Sequence, residues 1–222
     1  MPLKQSNLNE NVVFVICAHS DDQIFGPGGT VAKYAKEGKQ VFTIIFSYGE
    51  VSHPWFQKHI TIKARVKESL AADKFMGGSG VLFLGLDEGK FIQQYASKHM
   101  HAKLKRLILK YRPKRIFTHA VDDPMPDHRA LTKCLVTTLD KIKYSGEVYM
   151  FDVWTLFNFK KRHYVSIAID ISDTFKKKIQ ALKMFKSQGA ARFSLTWSVY
   201  LKAWLYGKRH NIRFAEVFYK LR

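Results

Sequence analysis

A histidine and two aspartates follow the first apolar run of the chain, in the order Ala18-His19-Ser20-Asp21-Asp22-Gln23. About a hundred residues later the run Asp122-Asp123-Pro124-Met125-Pro126-Asp127-His128 supplies a second imidazole and more carboxylates. Both runs sit where a strand is expected to end. They hold the components of a three-ligand metal site with a carboxylate left over as a base. A catalytic zinc site uses three protein ligands and keeps one position for water. His19 and Asp22, three residues apart on the loop after the first strand, can bind one ion together. His128 can complete the set from the loop after the fourth strand. Asp21 is then free to face the water, whose pKa zinc lowers to about 7, and to take its proton. Such a set suits amide hydrolysis. Asp127 is the second catalytic candidate, a carboxylate beside His128 that can orient a ligand.

These side chains need strand ends to hold them. Residues 12–17 form a continuous apolar run, the pattern of a parallel strand buried on both faces. Further strands are expected at residues 41–46, 81–84, 115–118, 148–151 and 164–169. Helices fall between them. One runs through Val31 and Tyr34 to Gly38, one covers 60–76, and one carries Leu104, Leu107, Ile108 and Tyr111 before Pro113. Another spans 129–140, and one places Phe175, Ile179, Leu182 and Phe185 on a single face. Strand and helix in alternation predict an α/β fold, a Rossmann-like three-layer sandwich with a mostly parallel sheet. Ligands in such sheets gather at the carboxyl ends of strands, where both motifs lie. The run Gly26-Pro27-Gly28-Gly29 fits neither dinucleotide nor P-loop spacing and reads as a turn. No linker or repeat interrupts residues 1–222, so one domain is expected.

The formal charge is +19, and residues 151–222 carry 15 Lys and Arg against 4 Asp and Glu. A field of that sign favours anionic partners such as phosphorylated substrates, lipid surfaces or nucleic acid, without choosing among them. No apolar run approaches the roughly 18–20 residues of a membrane span, and the first residues lack the apolar core of a signal peptide. A cytoplasmic setting is therefore expected, with Cys17 and Cys134 reduced. Phe193, Trp197, Tyr200, Leu201 and Trp204 recur at helical spacing near Lys202, Lys208, Arg209 and His210, a mixture that can stack bases or seat in a lipid interface but is expected to be core or subunit contact, which leaves a homo-oligomer open. Lys160-Lys161-Arg162 and Lys176-Lys177-Lys178 read as solvated faces.

The two motifs together resemble the LmbE/PIG-L superfamily of zinc-dependent de-N-acetylases, which act on N-acetylglucosamine-type sugars. The family's Ala-His-Pro-Asp-Asp-Glu stands here as Ala18-His19-Ser20-Asp21-Asp22-Gln23. Its Thr-His, acidic loop and His-Pro-Asp-His stand as Thr118-His119, the loop, and Met125-Pro126-Asp127-His128. Smaller likenesses follow in order: Arg65-Val66-Lys67-Glu68, the turn from Leu84 to Gly89, Ser187-Gln188, and Ala215-Glu216-Val217-Phe218. The resemblance implies a Zn2+ ion held by His19, Asp22 and His128, with Asp21 as general base and Arg65 contacting sugar hydroxyls. The implied substrate is a small amino sugar or glycoconjugate, phosphorylated or presented on a surface where the positive charge would help. No nucleic-acid partner is expected.

Three positions depart from the pattern. Ser20 replaces a proline and is expected to loosen the loop, and Gln23 replaces a glutamate but keeps an amide for hydrogen bonding. Met125 stands where the family has a histidine that stabilises the oxyanion or protonates the leaving amine. Methionine does neither, and a lost oxyanion donor costs about 10²–10³ in rate. His119 and His53 are candidates to replace it. Two rival readings follow: a metal- or sugar-binding protein of the same fold without turnover, and a basic nucleic-acid-binding protein.

Overall fold

The apolar run at the start of the chain forms strand β1 (Val12–Cys17), buried at all six positions. Val13, Val15 and Cys17 enter one core, while Val12, Phe14 and Ile16 enter a second core on the other face. With both faces covered there is no polar position to alternate with, which is why the run is unbroken. The structure, a computed structural model, describes residues 11–50, 57–153 and 164–222 (189–195 by backbone alone).

After β1 come α1 (Asp22–Phe25), α2 (Gly28–Lys36), β2 (Gln40–Ile45), α3 (Lys58–Met76) and β3 (Gly80–Phe83). Then follow α4 (Phe91–Ser97), α5 (Met100–Tyr111), β4 (Arg115–His119), α6 (Pro126–Lys141) and β5 (Glu147–Phe151). The described chain closes with β6 (Ser166–Asp170), α7 (Phe175–Leu182), α8 (Gly189–Arg209) and β7 (Ala215–Lys220). The seven strands lie in the order β3-β2-β1-β4-β5-β7-β6. The pairs from β3 through β5 are parallel, and β7 runs antiparallel to both its neighbours. Residues of α2, α3, α7 and α8 complete the first core, and those of α4, α5 and α6 the second. The result is a single-domain α/β sandwich of three layers. From β1 the chain steps outward to β2 and β3, then crosses back to lay β4 on the other side of β1. The order therefore reverses between β1 and β4, where the loops part and leave a crevice.

Helix α6 begins at Pro126, three residues earlier than the apolar spacing suggests. Proline at the first helical position has its φ preset and gives up no hydrogen bond. His128 consequently sits in the first turn of a helix and not on a loop. Helix α4 and strand β7 were not anticipated from the pattern of apolar residues. His53 and Lys160-Lys161-Arg162 lie outside the described residues.

Two readings of the sequence change. The glycine run is a turn only in its first half: Gly26 and Pro27 turn between α1 and α2, whereas Gly28 and Gly29 belong to α2. Gly26 has an ordinary φ of −75°, but a Cβ on it would lie 2.3 Å from the Phe151 ring. One on Gly29 would lie 2.7 Å from Ile171. The triplet Lys176-Lys177-Lys178 is likewise not uniformly solvated, since Lys178 is buried. Its ammonium donates to the carbonyls of Phe25 (2.9 Å) and Gly26 (2.8 Å) and to Glu216 Oε1 at 2.6 Å. Glu216 in turn accepts from the Gly29 and Thr30 N–H groups, each at 2.8 Å, at the start of α2. One buried ion pair thus ties α1, α2, α7 and β7 together.

A second buried carboxylate makes stability depend on pH. Burial pushes Asp73, near the end of α3, up to about 7, against the Gly80 N–H that steadies its charged form. In the unfolded chain the same group titrates near its ordinary value of about 3.9. Between those values the folded state binds more protons than the unfolded one, so this group's contribution falls as pH rises from about 4 to 7. Asp73→Asn is therefore expected to gain on the parent by up to about 4 kcal/mol at pH 8 and by little at pH 4. Denaturant titrations of both proteins at the two pH values check this. A difference that does not change with pH would rule it out.

Candidate active site

The crevice between β1 and β4 collects both motifs. Asp21 caps α1 and Asp22 opens it, immediately beyond β1, while His119 ends β4 and His128 follows in α6. Three imidazoles converge on one oxygen, Asp22 Oδ2. His19 Nδ1 is 3.4 Å away, His119 Nε2 3.2 Å and His128 Nε2 3.5 Å. The same oxygen accepts the His19 backbone N–H at 2.8 Å, which fixes the loop over the carboxylate. Burial alone would raise the Asp22 carboxyl, but His128 and His119 outweigh it and hold it well below the usual range.

The histidines divide by environment. His119 Nε2 accepts the Ala18 N–H at 3.1 Å, and its ring stacks on His128 at 3.7 Å between centroids. Burial, then the neighbouring His128, lowers it to about 4, so it stays neutral as the clamp between β1 and β4. That is a structural position, and it leaves His119 poorly placed to stand in for the histidine absent at 125. His128 behaves oppositely. Burial works against its charge, but Asp22 and Asp123 raise it to about 9. Asp123 Oδ1 lies 2.9 Å from its Nδ1, so the carboxylate that orients His128 is Asp123. Asp127 faces His19 instead, 3.5 Å from Nε2, and accepts the Gly89 N–H at 2.9 Å. Burial opposes charge on His19 as well, yet Asp127 and Asp22 lift it to about 10.

Asp21 and Arg65 form the wall beside this cluster. Arg65, on α3, is 3% exposed, with Nη2 3.5 Å from Asp21 Oδ1. Its Nε donates to Ser20 Oγ at 2.8 Å. Ser20 therefore does not loosen the loop; it gains a contact that a proline could not make. Gln23 is buried, and its amide donates to Ser20 O (3.1 Å) and Ser69 Oγ (3.0 Å), joining α1 to α3. Burial raises Asp21 above the ordinary carboxylate range although Arg65 pulls it down. A carboxylate held there is a better proton acceptor than one in water. Glu88, also raised by burial, adds a further acid near His19. Asp123 and Glu88 were not singled out from the sequence.

His19, Asp22 and His128 each offer a ligand atom within 4.8 Å of the others. Two more trios meet that distance, His119 with Asp123 and His128, and His19 with Glu88 and Asp127. Each shares a histidine with the first, so the three describe one centre and its walls. Both ring nitrogens of His128 are buried without a well-aligned hydrogen bond, although Nε2 faces Asp22 at 3.5 Å and Nδ1 faces Asp123 at 2.9 Å. An orphaned imidazole nitrogen, a second imidazole and a carboxylate are a donor set that zinc accepts. The residues fit the ion.

Comparisons with known proteins place the chain in a family and bear out the fold. The family described as "PIG-L: GlcNAc-PI de-N-acetylase" matches residues 14–139. A 4-oxalmesaconate hydratase of Pseudomonas putida is 28% identical over 129 residues, 54% of this chain and 48% of that protein. The match thus spans about half the length of that relative. Among solved structures, the N,N'-diacetylchitobiose deacetylase of Pyrococcus horikoshii superposes with a TM-score of 0.78 at 21% identity, covering 96% of this chain and 84% of that one. The 4-carboxy-2-hydroxymuconate hydratase of Pseudomonas putida KT2440 gives 0.79 at 19%, covering 96% and 97%. A teicoplanin deacetylase in its zinc-inhibited form gives 0.74 at 15%, covering 95% and 97%. At these identities the solved structures speak for the fold. The family match covers more than half of the 222 residues, including both motifs, and the chain belongs to the PIG-L family.

Proposed function

We propose that the protein is a zinc-dependent hydrolase that removes the N-acetyl group from an N-acetylglucosamine-type amino sugar or glycoconjugate. The observation that carries the reading is the convergence of His19 and His128 on Asp22, with Asp21 alongside, at the switch point of the sheet. His19, Asp22 and His128 would hold the ion. When bound, zinc supplies an electrophile that acidifies water and polarises a carbonyl. Asp21 takes the proton of the attacking water and returns it to the nitrogen as the C–N bond breaks, giving acetate and a free amine. Arg65 steadies the Asp21 carboxylate, and Asp127 and Asp123 keep the two ligand imidazoles turned inward. The excess of positive charge favours a substrate bearing phosphate, carboxylate or nucleotide.

A second reading is hydration of a carboxylated alkene. The likeness to a hydratase favours it, as does Met125, because adding water across a double bond expels no amine to be protonated. The test is acetate release by protein of measured zinc content from free GlcNAc, chitobiose and phosphate- or nucleotide-linked conjugates, beside loss of absorbance from conjugated unsaturated acids. Zinc-dependent acetate release supports the deacetylase. Zinc-loaded protein that hydrates the acids and frees no acetate replaces it with the hydratase. If the deacetylase holds, Met125→His is expected to raise kcat about 10²-fold, the value of one restored oxyanion donor. An unchanged kcat in that variant would mean another group already does the work.

A further inference from the structure

We propose that the exposed face of α8 docks the protein on an anionic lipid surface. Trp197, Tyr200 and Trp204 lie three and four residues apart on one side of this helix and are 62%, 49% and 38% exposed. Val199 and Ala203, on the other side, are buried in the first core. Trp197 and Trp204 are thus not core, and Tyr200 stays about half exposed beside Phe175 of α7 and Phe214.

Charge and ring geometry select the occupant. From Thr174 to Ala215 the chain has ten Lys and Arg and no Asp or Glu. Of these, Lys178 is taken inward by Glu216, and Lys177 and Lys202 donate to the carbonyls of Met76 and Asp152. Lys208 Nζ stands 4.4 Å above the Trp204 ring, and the Arg213 guanidinium lies over Phe214, whose ring is 5.6 Å from Tyr200. Cations therefore rim the aromatic stripe. Indole and phenol rings favour the headgroup level of a bilayer, and clustered Lys and Arg favour anionic lipids. Single-stranded nucleic acid is the poorer fit, since base stacking needs open ring faces. Here Lys208 covers Trp204, and Tyr200 meets Phe175 and Phe214 edge-on at 66° and 70°. A second copy would set two positive faces against each other. No described helix is long and apolar enough to cross a membrane, so the contact is interfacial. The turn just before α8 is also tied to the site: Ser187 N–H and Oγ donate to Glu68, one turn from Arg65, at 2.9 and 2.5 Å.

This proposal does not depend on the reaction catalysed. The experiment is co-sedimentation of the full chain with phosphatidylcholine vesicles, alone or with phosphatidylglycerol added. The parent is expected to bind only the anionic vesicles, with a blue shift of its tryptophan emission. Lys208→Glu with Arg209→Glu should lower partition at least about thirtyfold, and Trp197→Gln with Trp204→Gln at least about tenfold, at unchanged Tm. Lys105→Glu with Arg106→Glu, exposed on α5 in the opposite layer, reverses as much charge and should have little effect. Absence of vesicle binding overturns the proposal, as does an equal loss in the α5 variant, which would mean net charge alone. Tryptophan variants that bind vesicles normally but lose self-association or RNA binding also overturn it. Should the double tryptophan variant misfold, Trp197→Gln with the emission shift gives the same decision.

Discussion

Asp21→Asn is expected to cut acetate release about 10²–10⁴-fold while the protein takes up as much zinc as the parent. The substitution keeps the shape of the side chain, so the cap of α1 and the position of Asp22 beside it should survive. What it removes is the capacity to accept a proton. Asp21 is set up for that role by opposed effects: burial raises its carboxyl above the ordinary range, and Arg65 at 3.5 Å limits the rise. Arg65→Lys separates positioning from substrate contact. A lysine cannot hold Ser20 and Asp21 with one planar fork, so if Arg65 serves Asp21 the loss appears in kcat. If Arg65 instead grips the sugar in ground and transition state alike, KM rises and kcat holds. Loss of zinc from Asp21→Asn would sink the assignment, because it would make Asp21 a ligand or its support.

How much of this was legible in the sequence varied with the kind of signal. Strand β1 could be read from the sequence, because burial on both faces leaves an unbroken apolar run that starts after Asn11. His19, Asp22 and His128 could be grouped because each lies on the segment that follows a predicted strand, and parallel sheets direct such segments to one crevice. The orienting role of Asp123 could not be read. It sits beside Asp122 in a loop with no periodicity to say which carboxylate turns inward. Strand β7 was hidden for another reason. Its pairing is antiparallel at the far side of the sheet, after a long helical stretch, and its Ala-Glu-Val-Phe-Tyr-Lys buries a charge that a simple strand pattern would place outside. That burial makes sense only with Lys178, on another element. The signal for Lys178 was present but outvoted. It lies three residues after Phe175 and four before Leu182, on the helix face that enters the core, yet its neighbours in a lysine triplet suggested solvent.

Breaking that pair has the second large effect. Lys178→Met is expected to cost about 3–5 kcal/mol, because it strands the Glu216 carboxylate in a buried site. The cost belongs near the lower end. Glu216 keeps the Gly29 and Thr30 N–H groups and the Thr30 hydroxyl at 2.6 Å, and the start of α2 favours a negative charge. For a chain of this size each kcal/mol lowers Tm by roughly 2–4 °C, so a fall of about 10 °C is expected. Adding Glu216→Gln to Lys178→Met should recover part of the loss, since the stranded charge is then gone. A Lys178→Met Tm within a degree or two of the parent would show the pair to be dispensable. Recovery of stability need not bring recovery of the site. Lys178 also donates to the carbonyls of Phe25 and Gly26, at the far end of the four-residue helix that Asp22 opens. Lys178 closes that end of α1 from outside the helix, so the double variant should regain Tm yet bind zinc more weakly than the parent. A double variant that recovers both would confine the pair to stability, and one that recovers neither would mean that the carboxylate, not the lysine, holds the loop.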